Sequence, residues 1–228
     1  MGFLGVGRFR GHPILLVVTA LSFEDVLCPI HGSEVGGPWS FSVEVGSLTG
    51  VITPPSVGEV LMRLCLGLEV PISGSVRVLD QDPVGRSRFG QLAFRRRLGV
   101  CFHRPGLISN LTLRQNLLVP MIFGGRIGSK EAEHRVEEIV QRLNLSRWAD
   151  TRPSLLTPEA RIMAGISRAA AHEPELLILE DPATDLTAGL AEDLLSWCKE
   201  RCSTMVVLPP TLSAPLTDLV DTWILLGD

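Results

Sequence analysis

The sequence predicts an α/β protein, a largely parallel sheet flanked by helices with an antiparallel β edge and a helical subdomain. Three observations predict it. Short Val/Ile/Leu-rich runs alternate with helix-patterned segments, the rhythm of a parallel sheet covered by helices. One of these runs, ELLILED (175–181), is apolar until it ends in two acids. From Ser109 to about Trp148 no strand pattern appears. There Ala132, Val136, Ile139, Val140 and Leu143 fall on one helical face, with Glu133, Glu137 and Glu138 largely off it.

Taken in order, LSFEDV (21–26) and FSVEV (41–45), joined by a Gly-rich connection, read as antiparallel edge strands. LTGVIT (48–53) reads as a buried strand, 57–68 as the helix after it, and SGSVRVLD (73–80) as the next strand. LGVCFH (98–103) is a further strand, leading into a loop with Pro105 and Gly106. The helical subdomain occupies about 104–160. Residues 160–171 are helical, 175–181 a strand, 187–202 a helix, and 204–208 and 222–227 the last two strands. Residues 1–20 are assigned to an N-terminal extension, because Arg8, Arg10 and the apolar run Pro13–Ala20 imitate a signal peptide but lack its cleavage site. Residues 21–228 form one domain. The chain stops at Gly227-Asp228 after its last strand, so no regulatory C-terminal domain is expected.

A formal net charge of −4 and a pI near 5.8 give no overall attraction to nucleic acid, although Arg95, Arg96 and Arg97 form a local basic cluster. Cys28, Cys65, Cys101, Cys198 and Cys202 lack zinc-ligand spacing and read as reduced thiols, with Cys198 and Cys202 on one helical face. No apolar run reaches the roughly 18 to 20 residues of a membrane span, so any membrane association must come through a partner.

Strand, loop and helix at 48–68, followed by an apolar strand with terminal acids, is the order of a nucleoside-triphosphate-binding α/β domain. Four stretches carry a more specific resemblance. FSVEVGSLTGVIT with LMRLCLGL matches a strand, phosphate loop and helix, and SGSVRVLDQDP the next strand pair. RRRLGVCFHRPGLISNLTLRQNLLVP matches a Q-loop region, and AHEPELLILEDPATDL a Walker B and D-loop region. From Leu21 to Asp228 the chain resembles the ABC ATPase family, which implies a P-loop NTPase-like ABC ATPase core.

The same alignment shows where the family chemistry is missing. A GxxxxGK[ST] loop wraps phosphates with backbone N–H groups, neutralises them with a Lys and holds magnesium with a hydroxyl. In the matching stretch Thr53 stands at the first Gly, with Pro54, Pro55, Ser56, Val57 and Gly58 after it. Glu59 stands at the Lys and Val60 at the hydroxyl. Sliding the alignment by one residue puts Gly58 at the Lys position and restores nothing. Pro54 and Pro55 also lack N–H groups. His103 replaces the Q-loop glutamine. The signature LSGGE becomes Leu156-Thr157-Pro158-Glu159-Ala160, which keeps a helix cap but loses both glycines. Glu180-Asp181 is the Walker B pair reversed. Thr187 stands at the D-loop aspartate, Pro209 at the switch histidine, and Ile30 or His31 where an adenine-stacking tyrosine would fall.

These departures imply a non-catalytic pseudo-ATPase subunit that docks on a polytopic membrane permease, peripheral on the cytoplasmic face, and pairs as a homo- or heterodimer with an ABC ATPase subunit. No cofactor or metal is expected. An alternative is a divergent active ATPase with ATP and magnesium, Glu180 serving the metal and Arg63 replacing the Lys. A second alternative is a soluble regulatory interaction module. NLLVPMIFGG resembles single-domain ATPases of Mla/Mce-type and lipid-exporter systems, which implies lipid transport. Phe123, Leu117 and Leu118 are then candidate permease contacts, with the lobe core the preferred place for the two leucines.

Overall fold

The computed structural model describes residues 8–9, 12–13, 18–30, 34–124 and 127–226. His31 and Arg10, both noted in the sequence, and the terminal Gly227-Asp228 lie outside the described residues. Strands β1 (Arg8–Phe9) and β2 (His12–Pro13) form a short antiparallel pair. The main strands are β3 (Thr19–Pro29), β4 (Val35–Glu44), β5 (Leu48–Ile52), β6 (Ser73–Val78), β7 (Leu98–Cys101), β8 (Leu176–Glu180), β9 (Met205–Leu208) and β10 (Thr222–Leu225). The helices are α1 (Pro55–Cys65), α2 (Arg88–Arg95), α3 (Leu113–Gly124), α4 (Ser129–Arg142), α5 (Pro158–Ala170), α6 (Ala188–Arg201) and α7 (Ala214–Thr217).

The core is a five-stranded sheet in the order β10-β5-β9-β8-β7, parallel throughout, beside a three-stranded antiparallel sheet ordered β4-β3-β6. Alternate residues of each parallel strand serve opposite faces. Leu176 and Ile178 of β8, with Val206 and Leu208 of β9, pack with α1 and the antiparallel sheet. Leu177, Leu179, Met205 and Val207 pack instead with α3, α4, α5 and α6. A strand buried on both faces must be apolar throughout, which is why LLIL shows no alternation in the sequence. Gly50 permits one close approach: a Cβ there would lie 2.3 Å from the Trp223 ring on neighbouring β10.

Helix ends follow local chemistry. Thr157 caps α5, its hydroxyl accepting from the Ala160 N–H at 3.2 Å, and Pro158 takes the first helical position. Ser87 caps α2 in the same way through the Gly90 N–H. The sequence reading contained no helix at α2, a short amphipathic helix that buries one hydrophobic residue, Phe94. Strand β6 stops at Val78 because Leu79 and Asp80 both turn left-handed, at φ 50° and 59°. Strand β3 starts at Thr19, and buried Ala20 joins the core, so the edge begins before the expected Leu21.

The predicted face of α4 is the buried one: Ala132, Val136, Ile139 and Val140 are at most 1 % exposed. Asn116 on α3 is fully buried and ties down the segment before its helix. Its side-chain oxygen accepts from the Ile108 N–H at 2.7 Å, while its NH₂ donates to the carbonyls of Ile108, Leu111 and Thr112. Asn116→Ala orphans those groups and is expected to cost about 1–3 kcal/mol in urea unfolding. A loss below about 0.5 kcal/mol, the ordinary surface-substitution range, would contradict this accounting.

Candidate functional site

Thr53 and Pro54 alone separate β5 from α1. The sequence placed the helix from residue 57; it begins at Pro55, inside the stretch expected to wrap phosphate. Proline at the first helical position is favourable, since its fixed φ suits the turn and its missing N–H is not needed there. The consequence is chemical. Val57 and Gly58 donate their N–H groups to the Pro54 carbonyl at 3.0 and 2.9 Å, and Pro54 and Pro55 have none to donate. Thr53, 2 % exposed, donates its own N–H to the Pro209 carbonyl at 3.2 Å. Residues at the phosphate-loop and switch positions are therefore bonded to each other.

Beyond this turn Val60 is buried, while Glu59 stands half-exposed at the cleft edge. Arg63, a candidate replacement for the missing Lys, lies 3.9 Å from Glu59 and 3.3 Å from Glu69. It serves two carboxylates. Ile30 lines the same outer groove with Ser56, Glu59, Val60 and Arg63.

The larger neighbouring cleft, about 470 Å3, is lined by Pro55, Ser56, Glu59, Phe102, His103, Arg104 and Glu180. Glu180 closes β8, and one of its oxygens accepts the His103 backbone N–H at 2.9 Å. Its pKa is raised, first by burial and then by the charges of Glu59 and Asp181; the His103 contacts oppose this. Asp181 turns left-handed at φ 44° and accepts from the Thr184 hydroxyl at 2.5 Å. The His103 ring reaches it at 3.6 Å. The reversed acid pair thus engages the loop after β7 and the turn after β8. Among the described residues no group of three or more His, Cys, Asp or Glu is arranged to hold a metal ion.

A second cleft joins His103, Arg104 and Pro105 to Pro158, Arg161 and Ile162 of α5 and to Asp185. Leu156 is buried beneath it, Glu159 sits in the first turn of α5, and Arg161 donates back to the carbonyls of Pro153 and Leu156. Thr187 occupies the N-cap position of α6 but makes no capping bond. Sequence reasoning singled out none of Arg104, Arg161 and Asp185, because each gains its meaning from a neighbour more than 15 residues away in the chain. The one available signal was Arg104-Pro105 in a loop next to His103.

The remaining candidates separate. The three arginines split: Arg95 donates to the Leu66 carbonyl, Arg97 makes a bidentate pair with Glu175 at 2.7 Å, and the exposed Arg96 lines a cavity with Met121, Arg135 and His172. All five cysteines are buried and free, and burial pushes the Cys65, Cys101 and Cys202 thiols up to about 12. Cys198 and Cys202 pack into the core. Leu117 is fully buried and Leu118 packs against the core, whereas Phe123 is 69 % exposed.

A family profile described as ABC transporter matches residues 38–184, a span that contains the β5–α1 turn, the loop after β7, the cap of α5 and the Glu180-Asp181 pair. The chain belongs to the ABC transporter family. This cassette is similar to the methionine import ATP-binding protein MetN of Caulobacter vibrioides, 35 % identical over 68 % of this chain and 50 % of that one. The sulfate/thiosulfate import ATP-binding protein CysA of Synechococcus elongatus is 32 % identical over 70 % of this chain and 45 % of its own. The cassette spans about half the length of these curated relatives. Its fold matches the ATP-binding cassette MJ0796 in a dimeric post-hydrolysis state, with a TM-score of 0.79, 21 % identity and coverage of 91 % and 94 %. The antiparallel sheet, the parallel core and the helices beside it are those of an ABC cassette. Among the described residues no helix is long and apolar enough to cross a membrane.

The cleft yields one pH prediction. Because the Glu180 pKa is raised in the folded state, its ionised form works against folding. That contribution is most favourable below the ordinary glutamate range and is lost as pH rises through the raised value. Glu180→Gln keeps an oxygen for the His103 N–H without the charge. It is expected to be at least as stable as the parent at neutral pH, with the gap closing on acidification, in chemical denaturation at several pH values. A Gln variant that is less stable at neutral pH would contradict the assigned cause.

Proposed function

We propose that this ABC cassette is a non-catalytic subunit: it keeps the fold and its docking surfaces but neither binds nor hydrolyses ATP. The observation that carries the reading is the two-residue β5–α1 turn, in which the N–H groups of Val57 and Gly58 are spent within the helix. A magnesium nucleotide does not fit the residues present. Val60 offers no ligand and Pro209 is buried, which leaves one oxygen of Glu180, the other accepting the His103 amide, without a partner at the hydroxyl or switch positions.

Charge adds to the misfit. Unit charges 4 Å apart interact by about 4 kcal/mol at an effective dielectric of 20 and about 1 kcal/mol in bulk water. Glu59, half-exposed, falls between these limits, so its repulsion of a phosphate weakens affinity from a few-fold to roughly a thousandfold. A lysine there would attract by a similar amount.

In this reading the subunit sits at the cytoplasmic face of a membrane through a polytopic permease and pairs with a second ABC cassette. Exposed Ile122 and Phe123 near the end of α3 are the apolar groups offered for docking. The methionine and sulfate/thiosulfate import proteins among its relatives support a small polar solute as cargo. They give lipid transport no support. The same named relatives favour a second reading, an active importer ATPase that reaches magnesium through Glu180 and Asp181.

Calorimetry separates the two. With magnesium and ATP the purified chain is expected to show no binding tighter than about 1 mM, equivalent to about −4 kcal/mol. Saturable, magnesium-dependent binding in the micromolar range would sink the non-catalytic reading. Glu59→Lys alone is expected to leave ATPase activity at background in a phosphate-release assay, because the Val57 and Gly58 N–H groups stay bonded to Pro54. Recovery of turnover by that single change would show that the remaining departures are tolerable.

A further inference from the structure

We propose that Glu180 is a positioning residue that latches the 102–107 loop to the sheet, and so fixes the helical segment α3–α4 relative to β8 by the protein's own carboxylate. The inference deepens the non-catalytic reading and rests on it, since in that reading the carboxylate serves the backbone through one oxygen and holds no metal with the other.

The connection from β7 to α3 crosses the surface, with His103, Arg104, Gly106 and Ile108 exposed, yet successive residues are held by different elements. From β8, Glu180 accepts the His103 N–H at 2.9 Å. On α5, Pro105 sits against Gly165 so closely that a Cβ there would lie 2.2 Å from the proline Cβ. One turn further along α5, Arg168 donates to the Gly106 carbonyl at 2.6 Å, although burial lowers its guanidinium pKa. On α3, Asn116 exchanges hydrogen bonds with the Ile108 backbone at 2.7 and 3.1 Å. Exposed loops without such tethers open at little cost in free energy. This one is pinned at 103, 105, 106 and 108.

Glu180 is the tether that spans from sheet to loop. It is half-buried, and it faces Glu59 from α1, Asp181 beside it and His103 from the loop. Among the described residues its one hydrogen-bond donor is the His103 amide. Desolvation and two neighbouring acids both work against a charge here. A carboxylate in such a place with a single backbone donor has a mechanical use.

Hydrogen exchange read by mass spectrometry on the full chain tests this with Glu180→Ala, Glu180→Gln and Arg168→Gln. Glu180→Ala is expected to speed exchange of the 103–107 amides by roughly tenfold or more, the loss of one hydrogen bond to a charged acceptor. Glu180→Gln, whose amide oxygen still accepts, restores slow exchange. Arg168→Gln loosens the same peptide from the other side and serves if Glu180→Ala does not fold. A change of less than about twofold in both loosening variants, or equal acceleration in β9 and α6, would overturn the latch. Magnesium and ATP added to the parent distinguish the two readings. Protection appearing at 56–60 while Glu180→Ala still frees 103–107 contradicts the non-catalytic reading and leaves the latch standing.

Discussion

The N–H of Thr53 donates to the carbonyl of Pro209, and within two residues of it β5 becomes α1. The turn borders the cleft at the carboxyl ends of the strands, where open α/β sheets ordinarily receive ligands, with Pro55 and Ser56 in its lining. The bond continues the parallel β5–β9 ladder by one rung past the strand ends. Val60 turns into the core, Glu59 remains at the rim, and Glu180 turns to the neighbouring loop.

The framework surrounding the cleft shows no corresponding loss. The parallel strands alternate cleanly between two hydrophobic clusters, α5 keeps its Thr157 cap and first-turn proline, and Asn116 satisfies a buried turn. Asp221 joins β10 to β5, accepting the Leu48 N–H at 2.7 Å and pairing with Lys199 at 3.0 Å; both hold its carboxyl below the usual aspartate range. Local propensity and hydrophobic patterning agree with the fold around the cleft.

Much of this was legible in the sequence. The strand and helix order followed from periodicity, and the absence of a lysine at 53–60 needed no structure. Pro54-Pro55 also carried a signal that sequence reasoning used only in part: it removes donors, but Pro55 also starts a helix. Where the β5 ladder ends was not legible, because Thr53 extends it by donating to Pro209, a partner 156 residues away. The latch was invisible for the same reason, since His103, Glu180, Gly165 and Arg168 meet only in three dimensions. Helix α2 was missed although its eight residues are amphipathic and Ser87 stands at its cap.

In the first turn of α1 the Val57 and Gly58 N–H groups are bonded to Pro54 and unavailable to phosphate, and amide chemical shifts at that turn test this most directly. In an isotope-labelled sample titrated with magnesium and ATP to roughly 1 mM, the limit of weak specific binding, the Ser56, Val57 and Gly58 resonances are expected to stay in place. Saturable, magnesium-dependent shifts at those three amides would mean that the turn opens to receive a nucleotide, and would contradict the account.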